Sequence, residues 1–416
     1  MEIHGLCILN CLITIGDEDA NNKLNINNKI ILNEVVNITI EDSYKTLINT
    51  ARIEFTRQIT VKTFVKNEYN EREEKLIGDQ NSIFSRGKRI NIKLCYGADE
   101  NLKTMFDGYV TTVIPGNPFV VLCEDMGYVL KQTALPAIKT SSEGTKLNEF
   151  VPEILKGTGI SLHPSTKNMN LTVGQIVYPQ NCTAADILNR FRKWGIVSYI
   201  RYYNGKPYLA IGRTLFSTNT SESVLKDMPD TPYDIYFNEH VASCNLDIHK
   251  LDINLLAIEA IALYPNNTMY KATIRRDPKD LTKFQVVNET KLDKRQLKNS
   301  ILTESDAQNN LSNLVGTKNN TIDLSGYNIC TYHEYNVNRE TLIKNAESKF
   351  SEISKTGIEG DLTLFGDFNM QSGCKVTLHD DLNPERNGTY IVSEVTTTFG
   401  VNGYRQKIKI PYKLSD

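Results

Sequence analysis

The stretch that decides the fold lies in the first third of the chain and reads Phe106-Asp-Gly-Tyr-Val-Thr-Thr-Val-Ile-Pro-Gly-Asn-Pro-Phe-Val-Val-Leu-Cys-Glu-Asp-Met-Gly-Tyr-Val-Leu-Lys131. Two runs rich in β-branched and aromatic residues, 106–114 and 119–123, flank the segment 115–118. That segment, Pro-Gly-Asn-Pro, is a strong turn signal because proline presets φ while glycine and asparagine accept positive φ. Residues 124–131 leave the alternating pattern and favour a helix. The stretch therefore predicts a hairpin that closes one β domain and leads into the next.

Composition limits the classes of protein that the chain can be. Its 416 residues suggest two to four domains, and 40% hydrophobic with 23% charged residues is typical of a soluble globular protein. The formal net charge of −2 disfavours a specific nucleic-acid binder with a basic face. No apolar run has the length of a membrane span, and the N-terminus lacks the basic region of a signal peptide. We therefore expect no membrane anchor and a protein that is made and kept in a cytoplasm.

The cysteines predict neither a metal site nor a disulfide framework. They are scattered along the chain, without a second Cys/His pair at zinc-like spacing. Their positions are 7, 11, 95, 123, 182, 244, 330 and 374. Several lie in apolar strand-like runs, where a free cysteine behaves as a small hydrophobe, so we expect core thiols in a reducing compartment.

Residues 1–131 are predicted to form a β barrel or sandwich. Runs with strand-like composition follow one another up to the opening hairpin, and period-two alternation marks a half-buried strand. These runs cover 6–15, 29–40, 51–64 and 90–96. The polar, charge-rich segment 67–87 interrupts them; it reads as a solvated hairpin loop, with a binding contact as the alternative.

Residues 132–215 are predicted to form a small α+β domain. An apolar stripe at helical spacing runs through 146–156, although Pro152 weakens the pattern. A second helix is predicted from Thr183, a candidate N-cap with Asp186 three residues on, to Trp194, which we assign to the core. Two strands then flank Asn204-Gly205, a typical hairpin dipeptide.

The remainder predicts a second β domain with an insertion. Strand-like runs return at 235–248 and 255–274, whereas 281–345 is polar, asparagine-rich and partly helical. An amphipathic helix is predicted over 339–354, and short strands with tight turns fill the C-terminus. The prediction assigns 216–280 and 357–416 to the second β domain and 281–356 to a polar, partly helical insertion.

The C-terminal pattern carries a resemblance to a known family. It runs Gly360-Asp-Leu, Gly366-Asp, Ser372-Gly-Cys-Lys-Val-Thr-Leu, Asn387-Gly-Thr-Tyr-Ile-Val and Gly403-Tyr-Arg-Gln-Lys-Ile. In these motifs, in the opening stretch and in domain order, the chain resembles contractile-tail baseplate hub proteins. That family includes the phage late control protein D type, the hub of large myophages and the N-terminal part of type VI secretion spikes. The chain differs from it in the length and polarity of 281–345.

The resemblance implies a β-rich α+β multidomain fold and a structural function. The fold would hold two tube-like antiparallel β barrels separated by the small α+β domain. Hub proteins of this family are homotrimers whose six tube-like domains adapt a hexameric tail tube to a trimeric spike. The expected partners are therefore the tail tube protein, the spike and other baseplate proteins, within a virion tail or a phage-tail-like injection particle. No catalytic residue and no cofactor is required.

Two other functions stay open from the sequence. A peptidoglycan-degrading enzyme would need paired carboxylates, but Glu124 and Asp125 are neighbours on a strand and so point to opposite faces. Asp380 and Asp381 have the same arrangement, the six histidines are dispersed, and no HExxH, GxSxG or phosphate-binding motif is present. A receptor- or glycan-binding adhesin could use the clustered tyrosines Tyr327, Tyr332 and Tyr335, which otherwise read as loop packing.

Overall fold

The computed structural model describes most of the chain, with gaps. The described residues are 8–16, 30–56, 60–63, 73–76, 84–141, 144–167, 171–193, 196–203, 206–213, 232–249, 255–264, 268–292, 326–335, 337–353, 357–366, 368–411 and 413–415. Trp194, the Asn204-Gly205 turn and most of the 67–87 segment lie outside them. Within these ranges, each helix is too short or too polar to cross a lipid bilayer.

The N-terminal third folds into strands, as its alternating apolar pattern predicts. They are β1 (Leu9–Gly16), β2 (Ile30–Leu32), β3 (Asn37–Ser43), β4 (Thr50–Phe55), β5 (Thr60–Thr63), β6 (Glu73–Leu76), β7 (Arg89–Tyr96), β8 (Lys103–Ile114) and β9 (Phe119–Asp125). The predicted hairpin is confirmed, since β8 and β9 pair antiparallel across the 115–118 turn. Helix α1 (Gly127–Gln132) follows directly, so the strand-to-helix change is also where the sequence places it.

The middle segment mixes helices with short strands. Its elements are β10 (Ile138–Lys139), β11 (Thr145–Lys146), α2 (Leu147–Ile154), β12 (Ser161–Leu162), α3 (Pro164–Lys167), β13 (Thr172–Val173), β14 (Val177–Tyr178), α4 (Ala184–Lys193), β15 (Ile196–Tyr203) and β16 (Lys206–Arg213). Helix α2 buries the predicted apolar stripe although Pro152 lies inside it. The N-cap of α4 is confirmed, because the Thr183 hydroxyl accepts the Asp186 backbone N–H at 3.2 Å and the Asp186 carboxylate accepts the Thr183 N–H at 2.9 Å.

The C-terminal half is again mostly strand. Its elements are β17 (Tyr233–Tyr236), α5 (Phe237–His240), β18 (Val241–His249), β19 (Leu256–Leu263), β20 (Met269–Asp277), β21 (Asp280–Leu292), β22 (Asn328–Tyr335), α6 (Arg339–Ile353), β23 (Gly357–Phe365), β24 (Lys375–His379), β25 (Gly388–Ile391), β26 (Glu394–Gly400), β27 (Gly403–Ile410) and β28 (Lys413–Ser415).

One sheet of eleven strands joins the two ends of the chain. Its order is β18-β23-β27-β26-β3-β4-β9-β8-β7-β1-β2. The junction is an antiparallel ladder in which β3 pairs with β26, from Ser43 opposite Glu394 to Asn37 opposite Gly400. The two separate barrels expected from the sequence are not seen among the described strands, because no sheet closes on itself. The physical reason is that β3 and β26 satisfy each other's hydrogen bonds, which leaves neither strand free to close its own half.

A second finding concerns the expected insertion. Strands β21 and β22, from the polar segment, pair with β20 and β19 in a separate four-stranded sheet of order β21-β20-β19-β22. Helix α6 packs on this sheet through Leu342, Ala346 and Phe350. Strands β19 and β20 therefore belong to this small sheet in the described structure, rather than to the second β domain to which the sequence assigned them. The other domain boundaries remain predictions.

The cores show why the two ends hold together. The N-terminal core contains Phe399 and Tyr404, which come from the C-terminal hairpin of β26 and β27. A neighbouring core lies between the long sheet and a four-stranded sheet of order β17-β24-β25-β28. Burying an aromatic side chain contributes about 1.5–3 kcal/mol. The two C-terminal aromatic side chains in the N-terminal core therefore stabilise the packing of one half of the chain against the other.

Candidate assembly surfaces

Strand β18 forms an open edge of the long sheet. It pairs with β23 on one side, and no other described strand lies on its second side. Residues 242–245 are exposed, and the nine residues of β18 include neither lysine nor proline. Those residue types commonly protect natural edge strands from pairing with another chain. The edge is thus a row of backbone donors and acceptors suited to a partner strand.

The last residues of β8 offer a second, local edge inside the long sheet, whose described end strands are β18 and β2. Strand β8 pairs with β7 only from Lys103 to Tyr109, and Gly87 and Lys88 bond the backbone of Val110. From 111 to 114 the described ladder runs on the β9 side alone. Ile114 at the end is 43% exposed. Among the described residues, backbone without a ladder partner therefore lies along one side of β18 and, on the far side of the β3–β26 junction, along one side of 111–114, where Thr111 is bulged.

One face of the long sheet between these edges is polar. Threonines alternate with charges of both signs on the side opposite the cores. This face comprises Thr39, Glu41, Thr50, Arg52, Glu54, Glu394, Thr396, Thr398, Lys407 and Lys409. Ion pairs join Arg52 to Glu54 and Lys407 to Asp361, each at 2.8 Å. We call this surface the polar face; it matches the solvated side that the sequence predicts.

Two buried carboxylates lie behind the sheet, where the long sheet meets the α+β segment and the C-terminal segment. Asp125 is 1% exposed, and its two oxygens accept the backbone N–H groups of Gly127 at 2.7 Å and Asn49 at 3.1 Å. Burial raises the pKa of Asp125 to about 8. Asp42 accepts the backbone N–H and the hydroxyl of Ser372 at 2.9 and 2.7 Å, and burial raises its pKa as well.

An arginine and a tyrosine complete this junction. The guanidinium of Arg89, which is 4% exposed, donates from Nε to Asp107 Oδ1 at 2.9 Å. Tyr202 of β15 donates its hydroxyl to the backbone carbonyl of Asp107 at 2.6 Å, and its backbone N–H to the Gln371 side chain at 3.0 Å. A cavity of about 500 Å³ lies between β3, β8, β15 and residues 369–371, and its lining includes Asp107, Tyr202 and Gln371. The junction ties three parts of the chain through polar contacts that are internally satisfied.

The carboxylates considered for an enzyme are held apart. Glu124 bonds Lys131 at 2.8 Å on the outer side, whereas Asp125 points into the junction, so their opposite orientation is confirmed. Asp380 is buried within its own loop and Asp381 is exposed. Across the described ranges, no group of three or more His, Cys, Asp or Glu side chains is arranged to hold a metal ion.

The histidines and cysteines take ordinary structural positions where they are described. Burial, with Arg201 nearby, lowers the pKa of His163 to about 4. Cys11, Cys95, Cys123 and Cys374 are buried, as predicted. Cys244 is exposed on β18, so the expectation of a core thiol is wrong there. A strand at a sheet edge presents both of its faces, which the local pattern does not reveal.

The three clustered tyrosines are engaged within the molecule. Tyr332 is buried and bonds Glu334, and the Tyr327 hydroxyl accepts from Arg275 at 2.7 Å. The Tyr335 ring lies over two glycines of the α+β segment, so close that a Cβ on Gly144 or Gly174 would sit 3.0 or 3.1 Å from it. They do not form the exposed aromatic platform that sugar stacking would need.

Comparison with known structures identifies the type of fold. No protein-family profile matches the sequence, and no curated protein matches it. The 43 kDa tail protein of prophage MuSo2 from Shewanella oneidensis superposes with a TM-score of 0.51 at 12% identity, over 98% of this chain and 100% of that one. A tail protein from Neisseria meningitidis MC58 gives 0.53 at 9% identity, over 97% and 96%. The fold is that of phage tail proteins.

A third similar structure comes from a secretion complex. A chain of the lidded PdpA-VgrG complex from Francisella gives a TM-score of 0.51 at 12% identity, over 99% of this chain and 53% of that one. The present chain therefore spans about half the length of that protein. These likenesses confirm, at the level of the fold, the resemblance to hub and spike proteins that the C-terminal motifs carry.

Proposed function

We propose that the chain is the structural hub of a phage tail or phage-tail-like contractile baseplate. In this role it forms a homotrimer that joins the hexameric tail tube to the central trimeric spike. The observation that carries the proposal is the long sheet, in which strands from both ends of the chain are continuous through the β3–β26 ladder. It leaves two local edges, one side of β18 and one side of 111–114, without a described partner strand.

The two open edges explain how copies would associate. A contact between β18 of one copy and the 111–114 edge of the next is heterologous, because it joins two different surfaces of the same chain. Such contacts generate a closed ring when the rotation between copies closes. Each copy contributes two halves of the long sheet, one on either side of the β3–β26 ladder. Three copies would therefore contribute six halves, which is the number needed to match a sixfold tube. The polar face, with charges of both signs, would then line the channel.

Measurement of mass in solution tests the proposal. We expect the purified chain to give three times the monomer mass of 47.1 kDa by light scattering, and its complex with the tube or spike partner to contain three copies of the chain. A Cys244→Lys, Asn245→Lys variant should remain monomeric and folded, since lysines on an edge strand oppose pairing. Ser348→Lys, on the exposed side of α6, is the matched control and should assemble normally.

One result would count against the hub, and another against the role given to the β18 edge. The first is a persistent monomer with both partners present. The second is a trimer that the β18 variant leaves intact, which would place the contact elsewhere and remove the role given to the edge. Peptidoglycan hydrolysis by the purified chain, lost on changing one carboxylate, would favour an enzyme instead.

A further inference from the structure

The loop between β24 and β25 presents an apolar side chain to solvent. Leu382 is 82% exposed, and its neighbours Asp381, Pro384 and Glu385 are exposed as well. The loop belongs to the four-stranded sheet, so it lies outside both open edges of the long sheet. We refer to residues 380–387 as the Leu382 loop.

The Leu382 loop is held in one conformation by a buried carboxylate. Asp380, 3% exposed, accepts the backbone N–H groups of Leu382 and Asn383 on one oxygen, each at 3.0 Å. Its other oxygen accepts hydrogen bonds from the Asn383 side-chain amide and from Nη1 of Arg386, each at 3.1 Å. Asn387 closes the loop by accepting the Asp380 N–H at 2.6 Å. The exposed leucine therefore projects from a preorganised support, which lowers the entropy cost of binding through it.

Residues next to the loop extend the apolar surface and give it a charge. Tyr236, 46% exposed, stacks on His379 with ring centroids 4.6 Å apart. Acidic side chains dominate the surroundings: Asp381, Glu385, Asp234 and Glu239 are exposed. Of the basic side chains that the structure describes in and beside the loop, Arg386 pairs with Asp380 and His379 with Asp234. The surface is thus an apolar knob inside an acidic rim.

We propose that the Leu382 loop is a docking site for a different protein, one whose surface offers an apolar socket rimmed by lysine or arginine. The acidic rim selects the charge of the partner, because complementary potentials speed encounter and like charges oppose it. The socket takes Leu382, with the Tyr236–His379 stack alongside. The inference goes beyond the hub proposal, since it adds a contact that the ring of copies does not use.

Photo-crosslinking in the cells that make the chain tests this docking site. A crosslinking amino acid replaces Leu382 in the full chain, and a second version carries it at Val401, which is 86% exposed at the β26–β27 turn. We expect position 382 to yield an adduct with a distinct polypeptide at a peptide rich in apolar residues and Lys or Arg. Position 401 should not give that adduct. With the partner purified, Leu382→Asp should weaken binding about tenfold or more.

A loop variant and a charge variant separate the two parts of the proposal. Asp380→Ala keeps the leucine but removes its support, and should weaken binding in a chain whose melting confirms that it is folded. Asp381→Asn with Glu385→Gln should leave the knob intact and reduce the salt dependence of association. No adduct at 382, the same adduct from 382 and 401, or an adduct only with a second copy would overturn the inference. A monomeric chain that still gives the specific 382 adduct would reject the hub and retain the docking site.

Discussion

Changing Asp125 to asparagine would remove a buried carboxyl whose ionisation the fold opposes. Burial raises the pKa of Asp125 from an ordinary 3.8 to about 8. A group whose pKa is higher in the folded state contributes most stability below its unfolded pKa and loses that contribution as pH rises towards its folded pKa. For Asp125 the loss begins near pH 3.8 and is complete above about pH 8.

The size of the effect follows from proton linkage. In the window between the two pKa values the folded state holds one proton more than the unfolded state, which is worth about 1.4 kcal/mol per pH unit. From about pH 5 to pH 7.5 the free energy of unfolding should therefore fall by roughly 3 kcal/mol through this group alone. Asparagine does not titrate, but its amide leaves one of the two backbone N–H donors unpaired, at a cost of about 1–3 kcal/mol. The variant should thus be the less stable protein at pH 5 and lose its disadvantage towards pH 7.5.

Urea unfolding of both proteins at several pH values provides the assay, with the single tryptophan, Trp194, and far-ultraviolet circular dichroism as probes. The measured quantity is the difference in unfolding free energy between wild type and variant, which cancels the titration of all other groups. Glu124→Gln is the matched control, because it removes the neighbouring carboxylate, which bonds Lys131 outside the junction. An infrared band of a protonated carboxyl near pH 6.5, absent from the variant, would support the same assignment. A wild-type minus variant difference that stays flat or rises from pH 5 to pH 7.5 would refute the reasoning.

Three further perturbations test other contacts. Arg89→Met should destabilise the junction by about 3–5 kcal/mol in thermal or urea unfolding, because it leaves Asp107 unpaired. Adding Asp107→Leu to this variant should recover much of the lost stability. Equal destabilisation in the single and double variants would contradict the reasoning. Gly174→Val should displace the Tyr335 ring and so loosen the contact between the small sheet with α6 and the α+β segment. Faster proteolysis near residues 256–353 is the expected result. Unchanged proteolysis would show that the ring does not hold the small sheet in place. Phe191→Ala, in the fully buried α4 core, should cost about 3–5 kcal/mol by urea unfolding, and a cost below 1 kcal/mol would mean that the site collapses around the cavity.

The local elements could be predicted because their causes are local. The Pro-Gly-Asn-Pro turn, the Thr183 N-cap and the apolar stripe of α2 each act over a few residues, and each lies where the sequence places it. The β3–β26 ladder could not be predicted in the same way. It joins residues 37–43 to residues 394–400, and an antiparallel ladder leaves no mark in either strand that identifies its partner.

Only part of the junction could be predicted from the sequence. Asp42, Arg89 and Asp107 look like solvent-facing charges on half-buried strands. Instead Arg89 is buried, and Asp42 and Asp107 bond groups from distant segments that meet there. Asp125 carries a signal that alternation could have revealed. Val121 and Cys123 are apolar and buried, so period two places Asp125 on their face and Glu124 on the other. The opposite orientation of the two carboxylates argues against their acting as a catalytic pair. The same alternation also identifies Asp125 as the buried one.

The β8–β9 hairpin links the junction to the proposed assembly edge. The first half of β8 carries Asp107, which receives Arg89 and the Tyr202 hydroxyl, and its last four residues supply the open edge at 111–114. Strand β9 ends in Asp125. Asp107 and residues 111–114 lie on the same strand, with a bulge at Thr111. A shift of the α+β segment transmitted through Tyr202 would therefore move the backbone with which a neighbouring copy pairs in the hub proposal. Tyr202→Phe removes one hydrogen bond and little volume, so it should leave the monomer folded and weaken association measured by light scattering. If association depended on β18 alone, this variant would assemble as well as wild type, and the edge at 111–114 would have no part in the ring.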